Sequence, residues 1–144
     1  MPTANNWVVW ALLSAVFAAL TAIFAKVGLE GIDSDYATLL RTSVILIVLA
    51  MMISMMGKWR DPRTLPAGSV LFLVLSALAT GASWVCYFRA LRVGEASRVA
   101  PIDKLSVVLV AIFAVIFLGE RPALRDWLGI ALVGVGVLVL AFKR

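Results

Sequence analysis

Residues 7–25 read WVVWALLSAVFAALTAIFA, a stretch without a single charged side chain. Lys26 follows directly, and Trp7 and Trp10 stand at the start, where tryptophan commonly anchors a helix at the membrane boundary. A bilayer core about 30 Å thick needs about 20 apolar residues for each helical crossing. The stretch therefore predicts a transmembrane α-helix.

Four more apolar stretches of similar length follow, so we predict spans at about 7–25, 36–56, 69–90, 100–119 and 124–142. Overall, 63% of the residues are hydrophobic and 15% are charged, against about 25% charged residues in soluble domains. The apolar runs are continuous, whereas strands of a membrane barrel alternate between polar and apolar residues. The sequence predicts an all-α integral membrane protein with five transmembrane helices, forming one domain over residues 1–144.

The fourth predicted span contains charges. Only residues 105–119 lack them, which is too short for a full crossing, so the span must also include Asp103 and Lys104. Pro101 suits the first turn of this helix, where its missing N–H costs nothing. Two charged groups are therefore expected within the polar boundary of the membrane.

Several function classes are disfavoured by composition. The net charge of +5 is spread over the connectors, which indicates lipid headgroup contact instead of nucleic acid binding. The chain has no histidine, one cysteine and no clustered acidic residues, so neither a metal site nor a cofactor is expected. No serine has a plausible base partner for nucleophilic chemistry, and we predict that the protein is not an enzyme.

The basic residues give almost no orientation signal. Five crossings place the two termini on opposite sides of the membrane, and five basic residues at connectors and span ends then lie on each side. The tally becomes five against eight when the embedded Arg41, Arg89 and Lys104 are included. A chain that inserts in both orientations can form an antiparallel homodimer of ten helices around a central site. Alternatively, the small bias fixes one orientation. The residues counted are Lys58, Arg60, Arg63, Arg121 and Arg125 on the N-terminal side, and Lys26, Arg92, Arg98, Lys143 and Arg144 on the other.

Three motifs point to a known family. They are CYFRALRVGEAS at residues 86–97, APIDKL at 100–105 and FLGERP at 117–122, the last followed by Gly129 and Gly134. In this order and spacing the chain resembles the EamA domain of the drug/metabolite transporter superfamily. The resemblance implies a helical carrier for small organic metabolites or drugs, whose usual members hold two inverted five-helix repeats. This sequence holds one repeat, which favours assembly as a dimer.

Four charged residues need an explanation, because a charge at membrane depth costs about 2.5 to 3.5 kcal/mol on insertion scales. Arg41, Arg89, Asp103 and Lys104 all lie towards the face opposite the N-terminus. We predict that they form a charge network acting as a gate, with Arg41 and Asp103 as the favoured pair. The alternative is that Arg41 and Lys104 extend to lipid headgroups and only set the helix register.

Hydroxyl and aromatic side chains suggest a substrate cavity. Thr80, Trp84 and Tyr87 share one face of the third span, with Ser83 adjacent, and Ser14 lies in the first span. The alternative for the small residues of the third span is close helix packing, with Ser76 paired with Thr80 and Ala77 with Gly81.

We therefore predict a secondary transporter, in the inner membrane of a prokaryotic cell, that moves small organic solutes by alternating access as an antiparallel homodimer. Its predicted partners are a second copy or a paralogous half, membrane lipid and an unidentified small molecule. One alternative is a membrane scaffold or accessory subunit that transports nothing. Another is a single-orientation subunit of a heteromeric transporter.

Overall fold

The computed structural model describes residues 6–142, in which the chain is helical and has the five apolar spans that the sequence predicts. Lys143 and Arg144, counted above for orientation, lie outside the described residues. The helices are α1 (Asn6–Gly28), α2 (Ser34–Met55), α3 (Ala67–Val93), α4 (Ala96–Asp103), α5 (Leu105–Phe113) and α6 (Leu124–Ala141), with a 3₁₀ turn at Pro62–Thr64 and a π-helical turn at Ala114–Leu118. Helices α4 and α5 with the π turn make the fourth span, Ala96–Leu118.

The chain divides into two compact units, one of residues 24–92 and one of residues 6–23 together with 93–142. Each unit is described by itself below. In both, most large apolar side chains are exposed on the isolated chain, for example Leu73 at 64% in the first and Leu132 at 74% in the second. Such a surface is suited to lipid or to other transmembrane helices, since water would not tolerate it.

Unit 24–92 is tied together at one end, where α1 finishes, α2 begins and α3 finishes. The Asp33 carboxylate accepts hydrogen bonds from the backbone N–H groups of Asp35 (2.9 Å) and Tyr36 (3.2 Å), and so caps α2. Lys26 Nζ donates to the carbonyl of Leu91 at 2.7 Å. The Leu91 side chain is fully buried, with 0% of its surface exposed. This end is therefore the best-packed part of the unit.

Helix α2 stops at a glycine. Gly57 adopts φ +61, the left-handed region that favours glycine. The N–H of Gly57 donates to the Ser54 carbonyl (3.1 Å) and that of Lys58 to the Ile53 carbonyl (3.1 Å), the paired bonds of a Schellman motif. Residues 57–66 then form the polar connector that leads to α3.

In the other unit, α4 and α5 both pack against α6. Gly134 permits the approach, because a Cβ built at this position would lie 3.3 Å from Val108 Cγ2. Among residues 6–142, a Cβ at Gly129 or Gly136 would meet nothing within 4 Å. Of the three glycines of the last span, Gly134 is thus the one that packing within the chain requires.

The fourth span is interrupted. Its helix starts at Ala96, after Gly94 and the extended Glu95, so Pro101 lies in the second turn and the expectation of a first-turn position is wrong. Pro101 has no N–H to offer the Ser97 carbonyl. The Lys104 N–H donates instead to the Pro101 carbonyl (2.9 Å), and the Lys104 carbonyl accepts from Val107 N–H (3.0 Å), so α4 and α5 meet at Lys104.

Candidate functional site

A groove of about 620 Å³ lies between α2 and α3, within the unit 24–92. We call it the α2–α3 groove. Its walls are mostly apolar side chains and small residues, interrupted by hydroxyl groups, with one tryptophan and one carboxylate. The lining residues are Asp35, Thr38, Leu39 and Thr42 from α2, and Leu73, Ser76, Ala77, Thr80, Gly81, Trp84 and Val85 from α3. The volume is in the range of small-molecule pockets.

The threonine hydroxyls of the groove donate to the backbone of their own helices. Thr38 Oγ1 donates to the Ser34 carbonyl at 2.8 Å, Thr42 Oγ1 to the Thr38 carbonyl at 2.7 Å and Thr80 Oγ1 to the Ser76 carbonyl at 2.9 Å. Each hydroxyl hydrogen is therefore already used. What these side chains offer to an occupant is methyl groups and acceptor lone pairs.

Arg41 rests on aromatic rings. Its guanidinium carbon lies 4.2 Å from the centroid of the Trp84 ring and 5.1 Å from that of Phe88. Phe88 is 3% exposed, so the cation sits against a fixed surface. Electron-rich ring faces attract a cation, most strongly where water is scarce. The two rings thus provide part of what an arginine needs within an apolar span.

Two ion pairs join the beginning of α2 to the end of α3. Arg89 contacts Asp35 through two hydrogen bonds, Nε to Oδ1 at 2.9 Å and Nη2 to Oδ2 at 2.6 Å. Arg92 Nη1 lies 3.3 Å from Asp33 Oδ2. We call these two pairs the ion-pair clasp. Since Asp35 also lines the groove, the clasp stands at one end of it.

Only some of the residues predicted for the cavity line the α2–α3 groove. Thr80 and half-buried Trp84 line the groove. Ser83 is exposed and is not among its lining residues, while Tyr87 makes an edge contact with Phe88 at 6.3 Å between ring centroids. Ser14 is exposed on α1 in the other unit. Two of the five predicted cavity residues therefore share one groove.

The residues predicted for the gate belong to both units. Arg89 belongs to the clasp and Arg41 to the aromatic contact, both in unit 24–92. Asp103 and Lys104 lie in the other unit at the break between α4 and α5, with Lys104 Nζ 3.2 Å from Asp103 Oδ2. The pairing of Arg41 with Asp103 would join the two units and stays a prediction.

Sequence reasoning missed Asp33 and Asp35, the acidic halves of the clasp. A second span predicted to begin at residue 36 left both in the connector, whereas the helix begins at Ser34. A usable signal existed. Two aspartates two residues apart open one helix, and Arg89 and Arg92 stand one helical turn apart at the end of the next.

Within residues 6–142 no three His, Cys, Asp or Glu residues come together as metal ligands would. The described site consists of the groove, the stacked arginine and the clasp. Together they offer an apolar surface with hydroxyl groups, a cation held against aromatic rings and two ion pairs.

Comparisons with known proteins agree with this picture. The chain is 59% identical to an uncharacterized transporter in the cobO 3' region of a Sinorhizobium species, over 95% of this chain and 97% of that protein. It is 27% identical to the uncharacterized transporter YxxF of Bacillus subtilis, over 97% of this chain but 44% of the relative. A probable 4-amino-4-deoxy-L-arabinose-phosphoundecaprenol flippase subunit, ArnE of Yersinia pestis, is 28% identical over 58% of this chain and 75% of its own length. No solved structure matches the chain significantly.

Five apolar spans and bacterial relatives named as transporters define a multi-pass integral membrane protein of the transporter class, in the bacterial inner membrane. The model of the EamA-like transporter family matches residues 5–142, and the chain belongs to that family. The resemblance noted in the sequence is confirmed, and the family is one of transporters and not of enzymes.

Proposed function

We propose that this protein is a secondary transporter that moves small organic metabolites or drugs by alternating access, as an antiparallel homodimer. The observation that carries the proposal is the α2–α3 groove, which has the size of a solute site and ends at the ion-pair clasp. The groove offers a surface for binding a solute, and the clasp offers ion pairs that can break. A transporter needs both.

Assembly from two copies is supported by the odd number of spans. A second copy inserted in the opposite orientation would be inverted relative to the first, as the two repeats of many transporters are. The near-even distribution of basic residues allows that copy to insert in the opposite orientation.

In the proposed mechanism the groove holds the solute against Trp84 and Thr80, and the clasp closes one end of it. Inversion of the second copy places an equivalent clasp at the opposite face of the membrane. Opening one clasp while the other stays closed gives alternating access. Ser14, Ser83 and Tyr87 remain candidates for further solute contacts, and Asp103 with Lys104 for a second charge contact that Arg41 joins.

A second candidate is a single-orientation subunit of a heteromeric transporter. One relative supports it, since ArnE of Yersinia pestis is a probable flippase subunit. The third candidate, a scaffold or accessory protein that transports nothing, would use the apolar helix surfaces for packing and leave the groove without a function.

The test combines orientation with flux. Reporter fusions at either terminus should each give two populations, one with the terminus inside and one with it outside the cell. Purified protein in liposomes should be stabilised by, and should take up, at least one compound of a broad metabolite panel. We expect Trp84→Ala to abolish uptake, with Trp127→Ala as the control because Trp127 lies outside the groove. One fixed orientation would favour the heteromer, and no response to any compound would favour the scaffold.

A further inference from the structure

Arg41 is not itself a lining residue of the α2–α3 groove but lies next to it. Its neighbours on α2, Thr38, Leu39 and Thr42, all line the groove, and helical periodicity places Arg41 beside Thr38 on an adjoining strip of the helix surface. On the other side its guanidinium contacts Trp84, which is itself a groove residue. Trp84 is therefore the wall that the cation and the groove share.

The aromatic contacts do not provide hydrogen-bond acceptors for the N–H donors of Arg41. A guanidinium has five N–H donors, and a ring face supplies no oxygen to accept from them. Within residues 24–92 no carboxylate forms an ion pair with Arg41, while Asp33 and Asp35 pair with Arg92 and Arg89. Tyr87 also interacts with the charge of this half-buried arginine, but without a carboxylate beside it the guanidinium can still accept an anion.

The groove itself favours an apolar occupant. Its threonine hydroxyls have given their hydrogens to backbone carbonyls, and its carboxylate is held by two contacts with Arg89. Leucine, valine, alanine and tryptophan side chains form most of the remaining wall. A strongly polar solute would lose its hydration there and gain few hydrogen bonds in return.

We propose that the α2–α3 groove binds an amphiphilic anion, with its apolar body along the groove and its phosphate or carboxylate at Arg41. This substrate class rests on the proposed function, in which the groove is the solute-binding surface. Arg41 can offer two parallel N–H groups to such an oxyanion, a geometry that lysine does not reproduce. Trp84 orients the guanidinium and contacts the first carbons of the apolar body.

Octyl phosphate is the test ligand, with octanol and octyltrimethylammonium as matched neutral and cationic controls. Binding is measured calorimetrically on the full chain in phosphatidylcholine nanodiscs, which carry no net anionic lipid. We expect octyl phosphate to bind at least tenfold more tightly than either control. Arg41→Gln should weaken octyl phosphate binding by about 10- to 100-fold, the usual effect of losing a charged hydrogen bond, and Arg41→Lys should restore only part of it.

A fluorescence measurement reports on the same site independently. In a chain whose other four tryptophans are replaced by phenylalanine, Trp84 emission should change with octyl phosphate and not with octanol. Equal binding of the three amphiphiles, or binding unaffected by Arg41→Gln, would overturn the proposal. An Asp103→Asn variant that changed octyl phosphate binding as much as Arg41→Gln would also overturn it, because Arg41 would then act through Asp103.

Phosphatidylglycerol added to the nanodiscs identifies the source of the anion. If phosphatidylglycerol competes with octyl phosphate and Arg41→Gln abolishes the competition, the natural occupant is a membrane phospholipid. If phosphatidylglycerol does not compete, the occupant is a free amphiphile. Both results agree with an amphiphilic anion. Uptake into liposomes is measured separately. Arg41-dependent binding without uptake counts against the transporter mechanism, whereas uptake unaffected by Arg41→Gln counts against the substrate class.

Discussion

Asp35 and Arg89 are joined by two parallel hydrogen bonds across the end of the α2–α3 groove, at 2.9 and 2.6 Å. The two residues are 54 positions apart in the sequence, and one of them also lines the groove. Both side chains are about half exposed, at 49% and 61%. Exposed ion pairs contribute little to stability, and the two-bond geometry places this one at the stronger end of that range, which is compatible with the opening and closing proposed for the clasp.

Removing this pair should open the groove end. In a Cys86→Ser background carrying Thr80→Cys, we expect Asp35→Asn to speed labelling of the groove cysteine by a water-soluble thiol reagent about two- to fivefold, the range for a weak exposed ion pair. Glu30→Gln is the control, since it removes an acid from the connector just before α2 without touching the clasp. Equal labelling rates in the two variants would show that the clasp does not restrict the groove.

Gly134 should tolerate no large side chain. Its Cβ position is 3.3 Å from Val108 Cγ2, so Gly134→Leu is expected to destabilise the protein by about 1–3 kcal/mol through overpacking. Gly136→Leu, where a Cβ meets nothing within 4 Å, should cost much less. Thermal unfolding in detergent compares them. If the two variants unfold at the same temperature, close packing of α5 against α6 does not depend on Gly134.

Asp103→Asn should reduce transport more than it reduces membrane insertion. The change keeps the side-chain volume but removes the charge that Lys104 contacts at 3.2 Å, and with it the predicted partner of Arg41. Uptake is compared with the wild type at equal membrane abundance. Ser106→Ala, a neutral change in the same span, serves as the control. Unchanged uptake in Asp103→Asn would remove Asp103 from the proposed gate.

The orientation of the chain in the membrane should depend on the charge of its connectors. Replacing Lys58, Arg60 and Arg63 by glutamine removes three of the five basic residues counted on the N-terminal side, so this variant should insert with that side out. Thr64→Lys with Leu65→Lys should give the opposite bias. Each variant alone is expected to be inactive, and the two expressed together should recover uptake. Full activity of either biased variant alone would contradict the inverted dimer.

The sequence predicts the spans well because the physical constraint is simple. Each crossing requires a long uncharged run, and residues 7–25 satisfy that requirement without any knowledge of neighbours. Helix ends are harder to predict. Asp33 and Asp35 look like connector residues until the cap on α2 is known, and moving the helix start to Ser34 is what places Asp35 opposite Arg89.

The site was predicted less completely, for a different reason. Helical periodicity relates residues on one helix, so Thr80 and Trp84 could be placed on a common face. It cannot show which residue of a second helix they meet, and the contact of Arg41 with Trp84 depends on that. Charge alone favours Asp103 as the partner of Arg41. The rings of Trp84 and Phe88, which contact Arg41, carry no charge and give no comparable signal in the sequence.

The break at Lys104 affects how the fourth span can move. Straight helices resist bending because each turn is held by bonds four residues apart, and at Pro101 one of those bonds is missing from the start. With shorter three-residue bonds around Lys104, we expect α4 to bend relative to α5 more easily than an unbroken helix would. The bend would fall beside Asp103, the only carboxylate of residues 96–118.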